Sequence, residues 1–240
     1  MNQAQQTEST QGTKISVVIP ARNEEEGIAK TLRAIPKGEL ERMGYEVQIV
    51  VVDNDSNDGT GELARKAGAD VVFEPRHGYG SAYKAGFAHA QGDIIATADA
   101  DATYPVEDIP RLVRILEEEK LDFLTTNRFA LMDEDAMSLR NKVGNRILSL
   151  ATRILFALKL RDPESGMWVF RKDVLQKAKL GSDAWPFSHE LKIEACYYNR
   201  CRWKEVPIQY RGRSGETKLQ SGWKVGSADL FHMMKKRIIR

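Results

Sequence analysis

The chain is poor in residues that staple or ligate. Among 240 residues there are only two cysteines, Cys196 and Cys201, in "CYYNRC". That spacing is not CxxC and no second pair exists, so a paired-thiolate zinc site and a disulfide framework are both excluded. Two reduced thiols in a reducing compartment is the plain reading. Charge of one sign is missing too: 36 Lys and Arg against 34 Asp and Glu leave +2, too little to argue for nucleic acid. Long apolar runs are absent. The longest, "ILSLATRILFALKL" from Ile147 to Leu160, is broken by Arg153 and too short to span a bilayer. The opening "MNQAQQTESTQGT" has no apolar h-region and reads as a disordered tail, residues 1–13.

Several active-site signatures are also missing. There is no GxSxG and no Walker loop, so serine-hydrolase and P-loop readings lack their central residues. "HELKIE" is not HExxH, because Glu194 stands five residues after His189. "DNDSNDGTGELA" looks like a calcium loop, but its sixth position is Asp58 instead of Gly and its twelfth is Ala64 instead of Glu. "HGYGSAYKAG" starts like a dinucleotide fingerprint, yet Tyr83 holds the third glycine's place and the stretch does not follow the first strand.

What is present is a rhythm. At 42% hydrophobic the chain can fill one sizeable core. "KISVVIPARNE" predicts a buried strand, Ile15 to Pro20, then a helix with Ile28, Leu32 and Ile35 on one face and Asn23 as its cap. "EVQIVVVDN", "ADVVFEP" and "DIIATADAD" are further strands, separated by helices at "GELARKAG" and "GSAYKAGFAHA". Alternating strands and helices predict an α/β fold with a mostly parallel sheet covered on both faces. The helix "EDIPRLVRILEEEK" and the strand "LDFLTTNRF" continue it. Then the pattern changes: a long helix over 141–160, and strand-like runs in "GMWVFRKDVL" and "WKEVPIQYRGRSGETK". The expected organisation is one domain over 14–220 with a basic helical tail over 221–240.

The chemistry concentrates where strands end. Ligands of open α/β sheets bind beyond the carboxyl ends of the strands. Asp99 and Asp101 end the fourth strand, Asp53 ends the second, and Ala21 to Glu24 follow the first. A turn or cap explains any one of these acids. It explains the set poorly, since a turn does not need two acids one residue apart. Paired carboxylates with oxygen donors only suit Mg²⁺ or Mn²⁺, which keep free positions for substrate phosphates. Ala100 between them leaves room for a ligand across the turn.

Five stretches in order, "VVIPARNEEEGI", "IVVVDNDSNDGT", "HGYGSAYKAGF", "GDIIATADADATYPVEDIPRL" and "DPESGMWVFRKDVL", resemble the family-2 glycosyltransferases with the GT-A fold. They are most similar to the dolichol-phosphate mannose synthase and polyprenyl-phosphate hexosyltransferase group, over roughly residues 14–220. The resemblance implies a Rossmann-like mixed sheet and a nucleotide-sugar donor. It places Pro20, Arg22 and Glu24 at the nucleotide, although the position of Arg22 is often aromatic in the family. Asp53 falls on the base and ribose, and Asp99, Ala100 and Asp101 on the Asp-x-Asp, with Asp101 the direct metal ligand. Asp55 stands where the family usually has Gly. Arg128 and the segment Arg213 to Lys218 match phosphate-holding positions, and the glycine-flanked basic loop matches a lid.

The implied reaction displaces a nucleoside diphosphate at the anomeric carbon with inversion. A hydroxyl acceptor needs a base, for which Glu190 in "FSHEL" is the candidate; pairing with a basic residue is the structural alternative. A lipid phosphate is already ionised and needs cations, for which Arg128 and Arg140 are candidates. The 141–160 helix is either a core helix with a charged outer stripe or a helix lying in a membrane interface. The reading is therefore a cytoplasmic enzyme, peripheral at the membrane face, moving a hexose to a polyprenyl phosphate. A sugar-hydroxyl acceptor, a nucleotidyltransferase and a non-enzymatic nucleotide-binding module are the alternatives.

Overall fold

The computed structural model describes residues 12–133, 136–213 and 222–239. Four strands rich in Val and Ile open it: β1 (Lys14–Ala21), β2 (Glu46–Asp53), β3 (Asp70–Phe73) and β4 (Ile94–Thr97). Both faces of their sheet are covered, which is why the apolar residues run on without alternation. Val17 and Ile19 face a layer built by α1 (Glu25–Ala34), α2 (Lys37–Arg42), α3 (Thr60–Lys66) and, across the sheet, α5 (Ile109–Glu118). Val18, Val50 and Val52 face the opposite layer, where α4 (Tyr79–His89) presents Tyr83 and Phe87.

The sheet has seven strands in the order β3-β2-β1-β4-β6-β5-β7, completed by β5 (Phe123–Met132), β6 (Trp168–Arg171) and β7 (Trp203–Tyr210). Only β6 runs against its neighbours, pairing antiparallel with β4 and β5. The chain leaves β1 in one direction for β2 and β3, then returns to add β4 on the other side. This reversal opens a crevice beyond the carboxyl ends of β1 and β4, the place where such sheets bind ligands. Register aligns the ends: Ala21 sits opposite Asp53, and Asp53 opposite Phe73.

Three more helices follow β5: α6 (Leu139–Phe156), α7 (Asp173–Lys177) and α8 (Phe187–Ile193), the last continuing as a π-turn over Glu194–Tyr198. The long helix is shorter than its apolar pattern predicts. It stops at Phe156 because Ala157 adopts φ 55°, a left-handed cap whose N–H donates to the Arg153 carbonyl. Asn23 is not the cap of α1. It stands outside the helix at φ 52°, and its Oδ1 accepts from the Asn57 N–H at 2.7 Å, tying the first crevice loop to the second. The last helix, α9 (Gly222–Ile238), packs on α6 and α8; Arg237 Nε donates to the Leu155 carbonyl at 3.0 Å. No helix among the described residues is long and apolar enough to cross a membrane.

Left-handed backbone disfavours any residue with a Cβ. Ala157→Gly is exposed and keeps the cap, so it should stabilise the fold by roughly 0.5–1 kcal/mol in urea unfolding.

Candidate active site

The Asp-Ala-Asp turn is gripped from one side by α1. Thr31 Oγ1 donates to the Ala100 carbonyl and accepts from the Ala102 N–H, each at 3.1 Å. Gly27 lies one turn earlier. A Cβ there would stand 2.6 Å from the Ala100 oxygen and 2.9 Å from Asp101 Cα, so only glycine lets the helix approach. Ala102 takes φ 61° to turn the chain away. The small Ala100 side chain is buried in this packing, so its size serves the contact with α1 and not clearance on the ligand side.

The two acids have different surroundings. Asp101 is buried and hydrogen-bonded on both oxygens. Oδ1 accepts from the Thr103 N–H at 3.1 Å and its hydroxyl at 2.7 Å; Oδ2 accepts from Arg213 at 2.8 Å. The same guanidinium pairs with Glu24 from the first loop. Asp99 Oδ1 is buried and has no hydrogen-bond partner. Burial, and then the Asp101 charge, raise the Asp99 pKa, while Arg128 and Arg213 pull it back. Strand ends thus bring Glu24, Asp99 and Asp101 into one electrostatic unit with two arginines.

The second strand contributes Asp53, half-buried, whose Oδ1 accepts from the Ser56 N–H at 3.0 Å. Gly61 in α3 makes space for it, since a Cβ there would lie 2.4 Å from Asp53 Oδ2. The loops are laced together: Asn23 N–H donates to Ser56 Oγ at 3.0 Å and Glu24 N–H to Thr60 Oγ1 at 2.7 Å. Asp55 adopts φ 58°, the conformation that favours glycine, and its carboxylate meets His77 Nε2 at 2.6 Å. Pro20 is half-buried opposite Val52, and Arg22 is exposed at the rim.

Arg128 is buried near Asp99 and committed to Asp162. Nε and Nη2 donate to the two Asp162 oxygens at 2.7 and 2.8 Å, and its backbone N–H adds a third bond at 3.0 Å. Burial opposes charge on both groups, and their mutual attraction outweighs it: the Arg128 pKa stands above its ordinary value and that of Asp162 below. Glu190 is buried at the base of a groove of about 550 Å³ between α9 and the 179–182 segment. It accepts from Lys236 Nζ at 2.8 Å and the Ser182 N–H at 2.9 Å. Burial would raise its pKa, but His232, Lys236 and backbone donors bring it down to about 2. Arg140 is exposed in the first turn of α6. Lys218 lies outside the described residues.

Sequence reasoning missed an aromatic wall beside Asp99. Trp185 stacks on Tyr79, with ring centroids 4.8 Å apart and 21° between planes. A Cβ on Gly166 would meet the Tyr79 hydroxyl at 2.5 Å, Asp99 Oδ1 at 3.4 Å and the Tyr104 hydroxyl at 3.5 Å, so these groups surround one glycine. The signal was in "HGYG". Gly78 and Gly80 admit the backbone of Ser182 and Asp183, whose oxygens would lie 2.3 and 2.1 Å from Cβ atoms at Gly80 and Gly78. The glycines let the 182–185 segment lie on α4, which sets Trp185 over Tyr79.

The family model described as glycosyl transferase family 2 matches residues 16–178, two thirds of the chain. The chain is a family-2 glycosyltransferase. Among the relatives of this glycosyltransferase is the low-salt glycan biosynthesis hexosyltransferase Agl6 of Haloferax volcanii, 34% identical over 88% of this chain; the chain spans about half, 51%, of that relative. A dolichyl-phosphate hexose transferase of the same organism is 31% identical over 85% of this chain and 86% of its own length. A crystal structure of glucosyl-3-phosphoglycerate synthase from Mycobacterium tuberculosis, with Mn²⁺, UDP and glucosyl-3-phosphoglycerate, superposes with a TM-score of 0.75. It is 22% identical and covers 95% of this chain and 81% of that one. That likeness, at such identity, establishes the GT-A fold.

Gly27→Ala tests the grip of α1 on the turn. Forcing a methyl group against the Ala100 carbonyl should destabilise the glycosyltransferase by about 1–3 kcal/mol in urea unfolding. Transfer activity should fall further than stability explains, because the turn carrying Asp99 and Asp101 must shift.

Proposed function

We propose that this glycosyltransferase transfers a hexose, with inversion, from a GDP- or UDP-linked donor to a polyprenyl phosphate, with Mg²⁺ or Mn²⁺ bound at Asp99 and Asp101. The observation that carries the reading is the pair itself. A buried carboxylate oxygen without a partner, beside a second carboxylate that already holds a cationic guanidinium, is a place built for positive charge. Among the described residues no group of three or more His, Cys, Asp or Glu forms a metal cage. Two oxygen ligands fit an ion that keeps open positions for water and a diphosphate. When bound, the ion supplies charge stabilisation for the departing diphosphate. The solved relative of this fold holds Mn²⁺ and UDP, which supports the same use here.

The chain's own residues do the rest. Arg213 shares Asp101 with the ion's site, and a donor diphosphate would draw the guanidinium onto its own oxygens. Asp53 and Glu24 line the nucleoside end, with Pro20 and Arg22 at its rim. Arg128, next to Asp99 and braced by Asp162, gives positive potential where an acceptor phosphate would stand, with Arg140 farther out. No general base is required for an ionised phosphate. Glu190, its oxygens occupied by Lys236 and Ser182, is placed to hold the wall around the sugar. The relative named a dolichyl-phosphate hexose transferase supports the acceptor class, and such an acceptor puts the enzyme at the cytoplasmic membrane face.

The test is a binding panel followed by a transfer assay. GDP, UDP and their sugars are titrated with and without Mn²⁺. One nucleotide should bind with metal-dependent affinity, and Asp101→Asn, which keeps the size of the buried side chain and an acceptor oxygen for Thr103, should erase that dependence while leaving the unfolding midpoint near wild type. Arg213→Gln should tighten Mn²⁺ binding in the absence of nucleotide, since the ion no longer competes with a guanidinium. Labelled sugar is then followed into a short-chain polyprenyl phosphate and into simple sugars. Transfer to the lipid with about a tenfold loss in Glu190→Gln supports the reading, against the roughly 10²–10⁴ expected from losing a true base. Transfer to sugar hydroxyls only, with near-complete loss in Glu190→Gln, refutes the acceptor assignment.

A further inference from the structure

A column of aromatic rings runs from the core to the surface beside Asp99. Tyr83, fully buried, packs against Trp168 and Phe187 with ring centroids 5.1 and 5.9 Å apart. Tyr79, half-buried, meets Tyr83 edge-on at 4.8 Å, and Trp185 ends the column by stacking on Tyr79. Trp185 is 38% exposed. One face of its indole lies on Tyr79, and no other ring among the described residues packs on it. The segment that carries it is held firmly. The Asp183 carbonyl accepts from the Ser81 N–H at 3.1 Å, and its carboxylate pairs with Lys84. The Ser182 N–H donates to the buried Glu190 at 2.9 Å. Pro186 restricts the backbone of Trp185 itself. A flat apolar surface fixed before a ligand arrives loses little conformational entropy on binding.

The order of strands says which part of a donor reaches this surface. β2, β1, β4 and β6 are successive neighbours in the sheet. Asp53 ends β2, Asp99 follows β4 and Gly166 precedes β6. Adjacent strands lie about 4.8 Å apart, so β2 and β4 are about 10 Å apart and β6 is one strand beyond. A donor with its nucleoside at Asp53 and its diphosphate at Asp99 and Asp101 fills the interval from β2 to β4. Its sugar then falls on the β6 side. There the Cβ position of Gly166 is 2.5 Å from the Tyr79 hydroxyl and 3.4 Å from Asp99 Oδ1. The aromatic column surfaces on that same side, and the base lies on the other side of the diphosphate.

We propose that Trp185 is the platform for the transferred hexose, with the pyranose resting a C–H face on the outer face of the indole. A pyranose is amphipathic. Equatorial hydroxyls leave axial C–H bonds on the faces of the ring, and their slight positive charge suits the negative face of a π system. The ligand class is a hexopyranose joined to a nucleoside diphosphate, and Trp185 acts on the sugar and not on the nucleotide. This deepens the nucleotide-sugar reading of the same site and rests on it.

The experiment compares Trp185→Phe with Trp185→Leu. Both keep a large apolar side chain on Tyr79, and only Phe keeps a flat ring. UDP, GDP, UDP-glucose and GDP-mannose are titrated with Mn²⁺ by calorimetry. Trp185→Leu should weaken the bound nucleotide sugar about five- to tenfold and Trp185→Phe less than about threefold, while UDP or GDP affinity stays within about twofold in both. Indole emission is the second readout. It should differ between the nucleotide and nucleotide-sugar complexes of the wild type, and the difference should vanish in Trp185→Phe. Where Trp185→Leu lowers the unfolding midpoint, that emission difference decides. Equal losses for nucleotide and nucleotide sugar, or unchanged nucleotide-sugar affinity in Trp185→Leu, or no emission difference, overturn the platform and leave the donor reading standing. A wild type that binds no nucleotide overturns the donor reading and the platform with it.

Discussion

Negative charge at the end of β4 is the constraint around which the crevice is arranged. Asp99 and Asp101 are one residue apart and both largely out of water, where like charges repel most strongly. Glu24 arrives from the first loop as a third acid. In the protein alone the balance is met by Arg213, whose guanidinium spans Asp101 and Glu24, and by Arg128 at longer range. Asp99 receives no hydrogen bond at its buried oxygen, and its carboxyl responds by holding its proton more tightly than usual. An ion at this place would relieve the stress that the fold otherwise manages with the Arg213 guanidinium and a shifted protonation equilibrium.

The turn keeps its shape because close backbone approaches fix it from several sides. Gly27 and Thr31 hold it from α1. Gly166 lies beside it, its N–H donating to the Tyr104 hydroxyl at 2.7 Å and its carbonyl accepting from Thr97 at 2.8 Å. The segment carrying Gly166 is pinned in turn by the buried Lys192, whose ammonium donates to the Pro163 and Ser165 carbonyls at 2.5 and 2.6 Å. Burial brings that lysine down to about 8. A charged group is thus spent on holding two carbonyls, and its other neighbours are Asp162 and Trp168 rather than solvent.

Much of this was legible in the sequence because strand ends announce themselves. Uninterrupted Val and Ile runs marked β1, β2 and β4, and the acids after them could only lie at one edge of a parallel sheet. The family pattern named the same acids. What the sequence hid were contacts made by glycine and by distant segments. "HGYG" read as a failed dinucleotide loop, whereas its glycines admit residues 182–183 about a hundred positions later. Asn23 read as a helix cap, yet its side chain serves the 53–58 turn. The helix over 141–160 allowed two readings, and the burial pattern shows a helix apolar on both sides, a case that a single periodicity describes poorly.

Helix α9 completes the electrostatics around Glu190 and Glu194. Lys236 reaches back to Glu190 at 2.8 Å and Glu194 at 2.9 Å, two acids on α8 and the π-turn that follows it. Without that ammonium, both carboxylates would be buried beside each other with few donors. The same helix brings Asp229, fully buried and with both oxygens unpartnered; burial first, then the charge of Glu164, raises its pKa. One helix therefore keeps Glu190 ionised and carries another acid that favours its proton. Helix α9 and the 179–182 segment enclose the groove over Glu190, and the chain runs on from Ser182 to Trp185, which stacks on Tyr79. Packing of the last helix is in this way continuous, along the 182–185 segment, with the aromatic wall beside Asp99.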